Sequence, residues 1–335
     1  MAIVSSQNRT CADASLIALY QSWGYNASII FNCLIALVSM FFLGRAAYKL
    51  CQQATIQYST RVLLISTIWF AACHQASYFA FKIDLLHTMW FNLDQQCFLQ
   101  RSSYECRFIS IFQTAGNLGM ALTGVSMSTD RALALAFPIH YHRLKSVPGV
   151  VLASMATLIS FSTWFLLTLN DPLTGYLNNC GFYPSYSVAN FSLMLDIILY
   201  IAVFNLIFDI GLFYFARQQI LWKRSFQFKH RYEARISMNC TQAVFIVSIC
   251  QCISNGANSG LMNLLMHIGK SLTAVTYSSL LSLCYTSPYS CLILPMLMTR
   301  VVDYIRQQRT IGILSLRSEK PGSEEHHQRM RAAWS

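Results

Sequence analysis

Hydrophobic positions in this chain come in long unbroken runs rather than in alternating or heptad patterns. Seven runs, near residues 28–48, 62–82, 106–129, 149–170, 191–215, 239–266 and 273–297, are long enough for helices of about 20 residues to cross roughly 30 Å of hydrocarbon. The fourth contains the uncharged stretch VLASMATLISFSTWFLLTL at 151–169. Continuous apolar runs without two-residue alternation speak for helices and against membrane strands. The sixth run, interrupted by Asn255, Gly256, Asn258 and Gly260, is the least apolar. No internal repeat or low-complexity linker is visible. The pattern predicts an all-α membrane protein, a bundle of seven transmembrane helices over 28–297, with an N-terminal tail at 1–27 and a C-terminal tail at 298–335.

Composition agrees. Of 335 residues, 55% are hydrophobic and 11% charged, about half the usual soluble share of charge. The start of the chain lacks a basic segment followed by a cleavable apolar core, so the first span is expected to act as an uncleaved signal.

Charge sets the orientation. With the N-terminus outside, 19 of the 24 Lys and Arg residues fall in the inner loops and tail. The other five (Arg9, Lys82, Arg101, Arg107 and Lys270) fall outside. That asymmetry predicts an extracellular N-terminus and a basic cytoplasmic rim suited to anionic lipid heads or an acidic protein. Because the basic residues border spans, they give no support to nucleic-acid binding. A seven-helix ligand-gated channel of the insect odorant-receptor kind would put the N-terminus inside, against this split. A transporter would often show inverted repeats.

Three sequons, at Asn8, Asn26 and Asn190, lie on the expected outside, where glycosylation occurs. Four of the 12 cysteines, Cys11, Cys97, Cys106 and Cys180, also lie there, which suggests two disulfides with three possible pairings. The remaining cysteines read as small buried hydrophobes. His140, His142, His326 and His327 read as solvated, since no third or fourth ligand accompanies them, and no metal or cofactor is expected. Nucleophile-elbow, zinc-protease and P-loop motifs are absent from the sequence, so nothing points to an enzyme.

The stretch MSTDRALALAFPIHYHR, 127–143, takes the third span directly into Asp130 and Arg131. An ionisable pair at a membrane edge is a functional candidate by default. Cys106 precedes Arg131 by 25 residues, about 37 Å of helix. One helix can therefore carry a tethered cysteine outside and an arginine inside. Pro138 should end it. The region resembles the (D/E)R(Y) segment of G-protein-coupled receptors, where the arginine holds the inner helix ends together at rest and meets the G protein when they part.

Further segments sharpen the resemblance: HQASY in the second span, CGFYPSYS in the second outer loop, HRYEARISMNCTQ entering the sixth, YTSPYSCLILPMLM in the seventh and EEHHQRMRAAW in the tail. In that order, from about Cys11 to Trp334, they resemble the nematode serpentine chemoreceptors of class alpha, the Sra family, with the sister class alpha-b next. The resemblance implies a chemosensory receptor in the plasma membrane of sensory neurons, with a small chemical ligand and a heterotrimeric G protein as partners. Within that architecture the expected disulfides are Cys106–Cys180, roofing the pocket, and Cys11–Cys97. The usual Trp-x-Pro element of the sixth span and the acid of the second are missing. Kinks are expected at Pro288 and Pro295, and a short amphipathic helix on the inner leaflet at 301–314.

Receptors of this type hold ligands in the outer half of the bundle. Gln113 and Asn117, four residues apart on one helix face, together with Asp196, Asn255 and Asn258, are the expected lining of a mainly apolar pocket. Asp196 is placed to act as counter-ion of a cationic ligand. His74 and Gln75 fall near mid-membrane in the second span. Asp209 lies deeper and reads as a structural or switching partner.

Overall fold

The computed structural model describes residues 14–52, 56–92, 99–177, 179–181, 186–222, 228–268 and 271–318. Among them ten helices form: α1 (Ala14–Gln21), α2 (Trp23–Gln52), α3 (Tyr58–Phe91), α4 (Ser103–Ala136), α5 (Pro138–Leu144), α6 (Val147–Leu167), α7 (Val188–Trp222), α8 (Phe228–Ile268), α9 (Ala274–Cys284) and α10 (Ser287–Ser318). Two short strands, β1 (Arg101–Ser102) and β2 (Tyr176–Leu177), pair antiparallel. The chain is a seven-transmembrane-helix bundle. Its crossings are α2, α3, α4, α6, α7, α8 and the α9–α10 pair.

By length and apolar content, six helical stretches qualify as crossings, and α4 is not among them. Its position explains why. It packs against α3, α6, α7 and α8, so lipid does not select its side chains. Three of its buried or half-buried hydroxyls are satisfied within the helix. Thr123 donates to the Gly119 carbonyl at 2.9 Å, Ser126 to Leu122 at 2.8 Å and Ser128 to Gly124 at 3.1 Å. Such bonds let polar residues sit in a membrane interior. The peripheral α6 shows the opposite pattern. Gly149, Ala156, Ser160 and Trp164 face inward, while Met155, Leu158, Phe165 and Leu166 are exposed, as a lipid-facing helix requires.

Small residues bring α3 and α4 together. A Cβ on Gly116 would meet the His74 Cβ at 2.6 Å, and one on Gly119 would meet the Phe70 ring at 2.2 Å. Gly149 of α6 lies as closely on the Ser59 backbone of α3.

Several boundaries depart from the sequence pattern. Helix α1 forms within the expected N-terminal tail, where Leu16, Leu19 and Tyr20 are buried against the bundle. Helix α10 runs unbroken through residue 297 to Ser318, so 301–314 continues the seventh crossing instead of forming a separate helix. That crossing is interrupted at Tyr285 and Thr286, not kinked at Pro288. Pro288 sits in the first turn of α10, where a missing N–H costs nothing. Pro295 lies inside the same helix.

Candidate functional site

At one end of α4, Asp130 and Arg131 are fully buried. The Asp130 carboxylate accepts from Ser59 at 2.5 Å and Thr60 at 3.0 Å, both on the first turn of α3. It also accepts from the Tyr141 hydroxyl at 2.6 Å and from Arg131 Nη2 at 2.6 Å. Arg131 Nη2 in turn donates to the Tyr141 oxygen at 3.0 Å. The local chain dictates this closure. Helix α4 ends at Ala136, and Pro138 opens α5, which carries Tyr141 back over the arginine. Burial pushes the Tyr141 phenol above its usual pKa, so it remains a donor. One guanidinium nitrogen, Nη1, is buried without an acceptor among the described residues. An unmet buried donor costs about 1–3 kcal/mol, so the closed arrangement is held against a standing penalty by the contacts to Asp130.

A second polar cluster lies one to two turns along the bundle from it. Asn205 of α7 donates to Ser248 of α8 at 2.8 Å and to Asp209 at 3.3 Å, and the Ser248 hydroxyl donates to the same carboxylate. Asp209 thus ties α7 to α8. Gln251 of α8 donates to the Met120 carbonyl of α4 at 2.8 Å.

The third cluster surrounds the interrupted seventh crossing. Tyr285 accepts from Asn117 at 3.1 Å and hydrogen-bonds His74 Nε2 at 2.8 Å. Gln75 donates to the Pro288 carbonyl at 2.7 Å. The Thr286 N–H donates to Asn258 at 3.2 Å, and its hydroxyl to the Ser254 carbonyl at 3.2 Å. Asn258 of α8 thus serves the Thr286 N–H that the break frees, while side chains of α3 and α4 hold the Tyr285 hydroxyl.

The five expected pocket residues divide on this geometry. Asn117 and Asn258 are committed to Tyr285 and Thr286. Gln113, Asp196 and Asn255 are half-buried on α4, α7 and α8, three helices in mutual contact. A small cleft at the opposite end from Arg131 is lined by other residues, including Tyr20, Phe81, Asp84, Arg101 and Cys180.

That end is closed by the Cys106–Cys180 disulfide. Ser102 caps α4 in a reciprocal arrangement with Glu105, and Ser103 fixes the β2 loop through the Gly175 carbonyl at 2.8 Å. Cys11, Cys97 and Asn8 lie outside the described residues. Asn26 sits in α2 with its amide donating to the Tyr20 and Ser22 carbonyls. Asn190 is exposed at the start of α7 and donates to the Leu167 carbonyl at 3.1 Å.

Sequence reasoning passed over Ser59, Thr60 and Tyr141, which look like ordinary loop and helix-edge residues. It also placed Lys82 on an outer rim, whereas α3 continues past it and buries it to 5% exposure. The unbroken helical pattern from Lys82 to Phe91 was the available signal.

The family described as serpentine type 7TM GPCR chemoreceptor Sra matches residues 6–334. A serpentine receptor class alpha-13 of Caenorhabditis briggsae is 77% identical across the whole of both chains. One of the same name from Caenorhabditis elegans is 57% identical, again across both. A class alpha-11 receptor of C. briggsae is 30% identical over 98% of this chain and 99% of its own length.

Proposed function

The chain belongs to the Sra family of serpentine seven-transmembrane chemoreceptors, and from that premise we propose that it binds a small chemical ligand and activates a heterotrimeric G protein. The family is one of receptors, not enzymes. In this reading the N-terminus and the Cys106–Cys180 disulfide are extracellular, and the Arg131 end faces the cytoplasm of a sensory neuron. With Lys82 buried in α3, the distribution of basic residues, 19 on the Arg131 side against four on the other, supports that orientation.

The observation that carries the proposal is the fully buried Asp130–Arg131 pair, clasped by α3 and by Tyr141. In this account the clasp holds the cytoplasmic helix ends together, and its release exposes Arg131 to the G protein. The ligand seat lies among Gln113, Asp196 and Asn255, with Asn117 and Asn258 passing its effect to the broken seventh crossing. Ligand contact that shifts Tyr285 or Thr286 would move α10 against α3 and α8, both of which it touches.

The test has two parts. An N-terminal epitope on intact cells should be reached by a non-permeant antibody, and a screen of odorants with a calcium readout should find activators. An epitope reached only after permeabilisation would reverse the orientation and remove the basis for coupling through Arg131.

A further inference from the structure

Lys82 is buried near the disulfide end of α3. Its ammonium donates to the Ser282 hydroxyl of α9 at 3.3 Å and lies 5.1 and 4.9 Å from the ring centroids of Tyr78 and Phe81. Among the described residues no carboxylate pairs with it. Asp84, two residues away, is held by Arg101 at 2.8 Å. Asn32 of α2 reaches the same Ser282 hydroxyl at 3.2 Å. Two more buried polar atoms here, Asn32 Oδ1 and the Tyr78 hydroxyl, have no hydrogen-bond partner among the described residues.

An ammonium has three donors and a full charge. One long hydroxyl contact and two ring faces do not replace water and a counter-charge. Buried ionisable groups inside a membrane bundle pair or mark a ligand path. What this group lacks is an anion, and the neighbouring groups narrow its chemistry. Lys82 and Tyr78 offer N–H and O–H donors to carboxylate oxygens. The neighbouring rings are Phe81, 4.9 Å from the ammonium, and Tyr285, packed on Tyr78.

The Tyr78 ring lies 5.7 Å from that of Tyr285, the residue at the break in the seventh crossing. An anion seated here therefore stands one ring away from the group held by Asn117 and His74. Asp196 makes no comparable demand. It is only half-buried.

We propose that Lys82, Tyr78 and Ser282 form a seat for the carboxylate of a small, mainly apolar molecule, between α3 and α9. The inference rests on the reading of the chain as a small-molecule receptor and adds to it an anion-selective seat apart from the one among Gln113, Asp196 and Asn255.

The full-length receptor, purified in lipid nanodiscs, is heated with hexanoate, octanoate, benzoate or phenylacetate, each beside its own primary amide. At least one acid should raise the unfolding midpoint above its amide, with saturable dose dependence. In Lys82→Met the apparent affinity for that acid should fall on the order of thirtyfold or more, and Lys82→Arg should restore part of it. Without any probe, Lys82→Met should be at least as stable as the parent, because it removes an uncompensated charge. The seat is wrong if no acid outperforms its amide, if Lys82→Met keeps the gain, or if the ligand-free variant is less stable. The receptor reading fails separately. An acid that stabilises the parent but not Lys82→Met, while no odorant or acid activates a G protein, would leave the seat intact and reject that reading.

Discussion

The Tyr141 hydroxyl donates to Asp130 at 2.6 Å and accepts from Arg131 at 3.0 Å, so one phenol closes both halves of a buried ion pair. The turn at Phe137 and Pro138 makes this possible by folding α5 back across the end of α4. In the proposed account this relationship is the resting state of the receptor. Two hydrogen bonds to charged groups, at about 1.5–3 kcal/mol each, set how rarely the site opens without ligand.

The close α3–α4 contact should tolerate no added methyl group at Gly116. A new Cβ would sit 2.6 Å from the His74 Cβ and 3.0 Å from the Phe70 carbonyl, and neither is the end of a flexible side chain. Gly116→Ala should cost about 1–3 kcal/mol of stability and lower surface display. Gly211, with nothing near its Cβ position, should accept alanine without loss. Thermal unfolding of the two variants side by side makes the comparison.

The Cys106–Cys180 bridge encloses a loop of 74 residues in sequence separation. By chain entropy alone it contributes up to about 4 kcal/mol, less where the unfolded reference is already helical. Because either thiol alone is useless to the bond, Cys106→Ser, Cys180→Ser and the double variant should show equal losses of unfolding midpoint. A double variant clearly less stable than either single one would mean that the cysteines contribute separately.

The five expected ligand residues should separate by phenotype. Asn258→Ala strips the Thr286 N–H of its acceptor and should lower stability with no ligand present, by about 1–3 kcal/mol. Asn117→Ala should lose less, since Tyr285 keeps His74 as a partner. Gln113→Ala and Asn255→Ala should leave surface display unchanged and raise the effective concentration of an activating odorant. Flow cytometry and a dose–response curve on the same cells distinguish the two kinds of loss.

The division between what sequence and structure each reveal follows physical lines. Apolar runs mark helices that face lipid, as in α6, where only a stripe from Gly149 to Trp164 is buried. They mark α4 poorly, because a central helix answers to its neighbours, yet the Cys106–Arg131–Pro138 spacing still locates it. Helix ends were less legible. A proline in a span reads as a kink, but Pro288 stands in the first turn of a new helix, with Asn258 satisfying the free Thr286 N–H before it. That depends on a helix nearly thirty residues away. Tyr141 could not be singled out, since a tyrosine between two histidines in a loop has the composition of a solvated turn. Lys82 was misplaced because a charge at the end of an apolar run marks the membrane edge equally well.

Ligand-free G-protein activation tests the central claim most directly, because it needs no knowledge of the ligand. Tyr141→Phe, Arg131→Ala and the double variant are compared with the parent at matched surface expression. Tyr141→Phe removes one hydrogen bond from each charged partner and should raise basal activation on the order of a hundredfold or to saturation, the consequence of losing roughly 3 kcal/mol or more from the closed state. Adding Arg131→Ala should abolish that rise, since the freed arginine is what the G protein meets. Basal activation unchanged by Tyr141→Phe, or a raised level that persists in the double variant, would contradict the account.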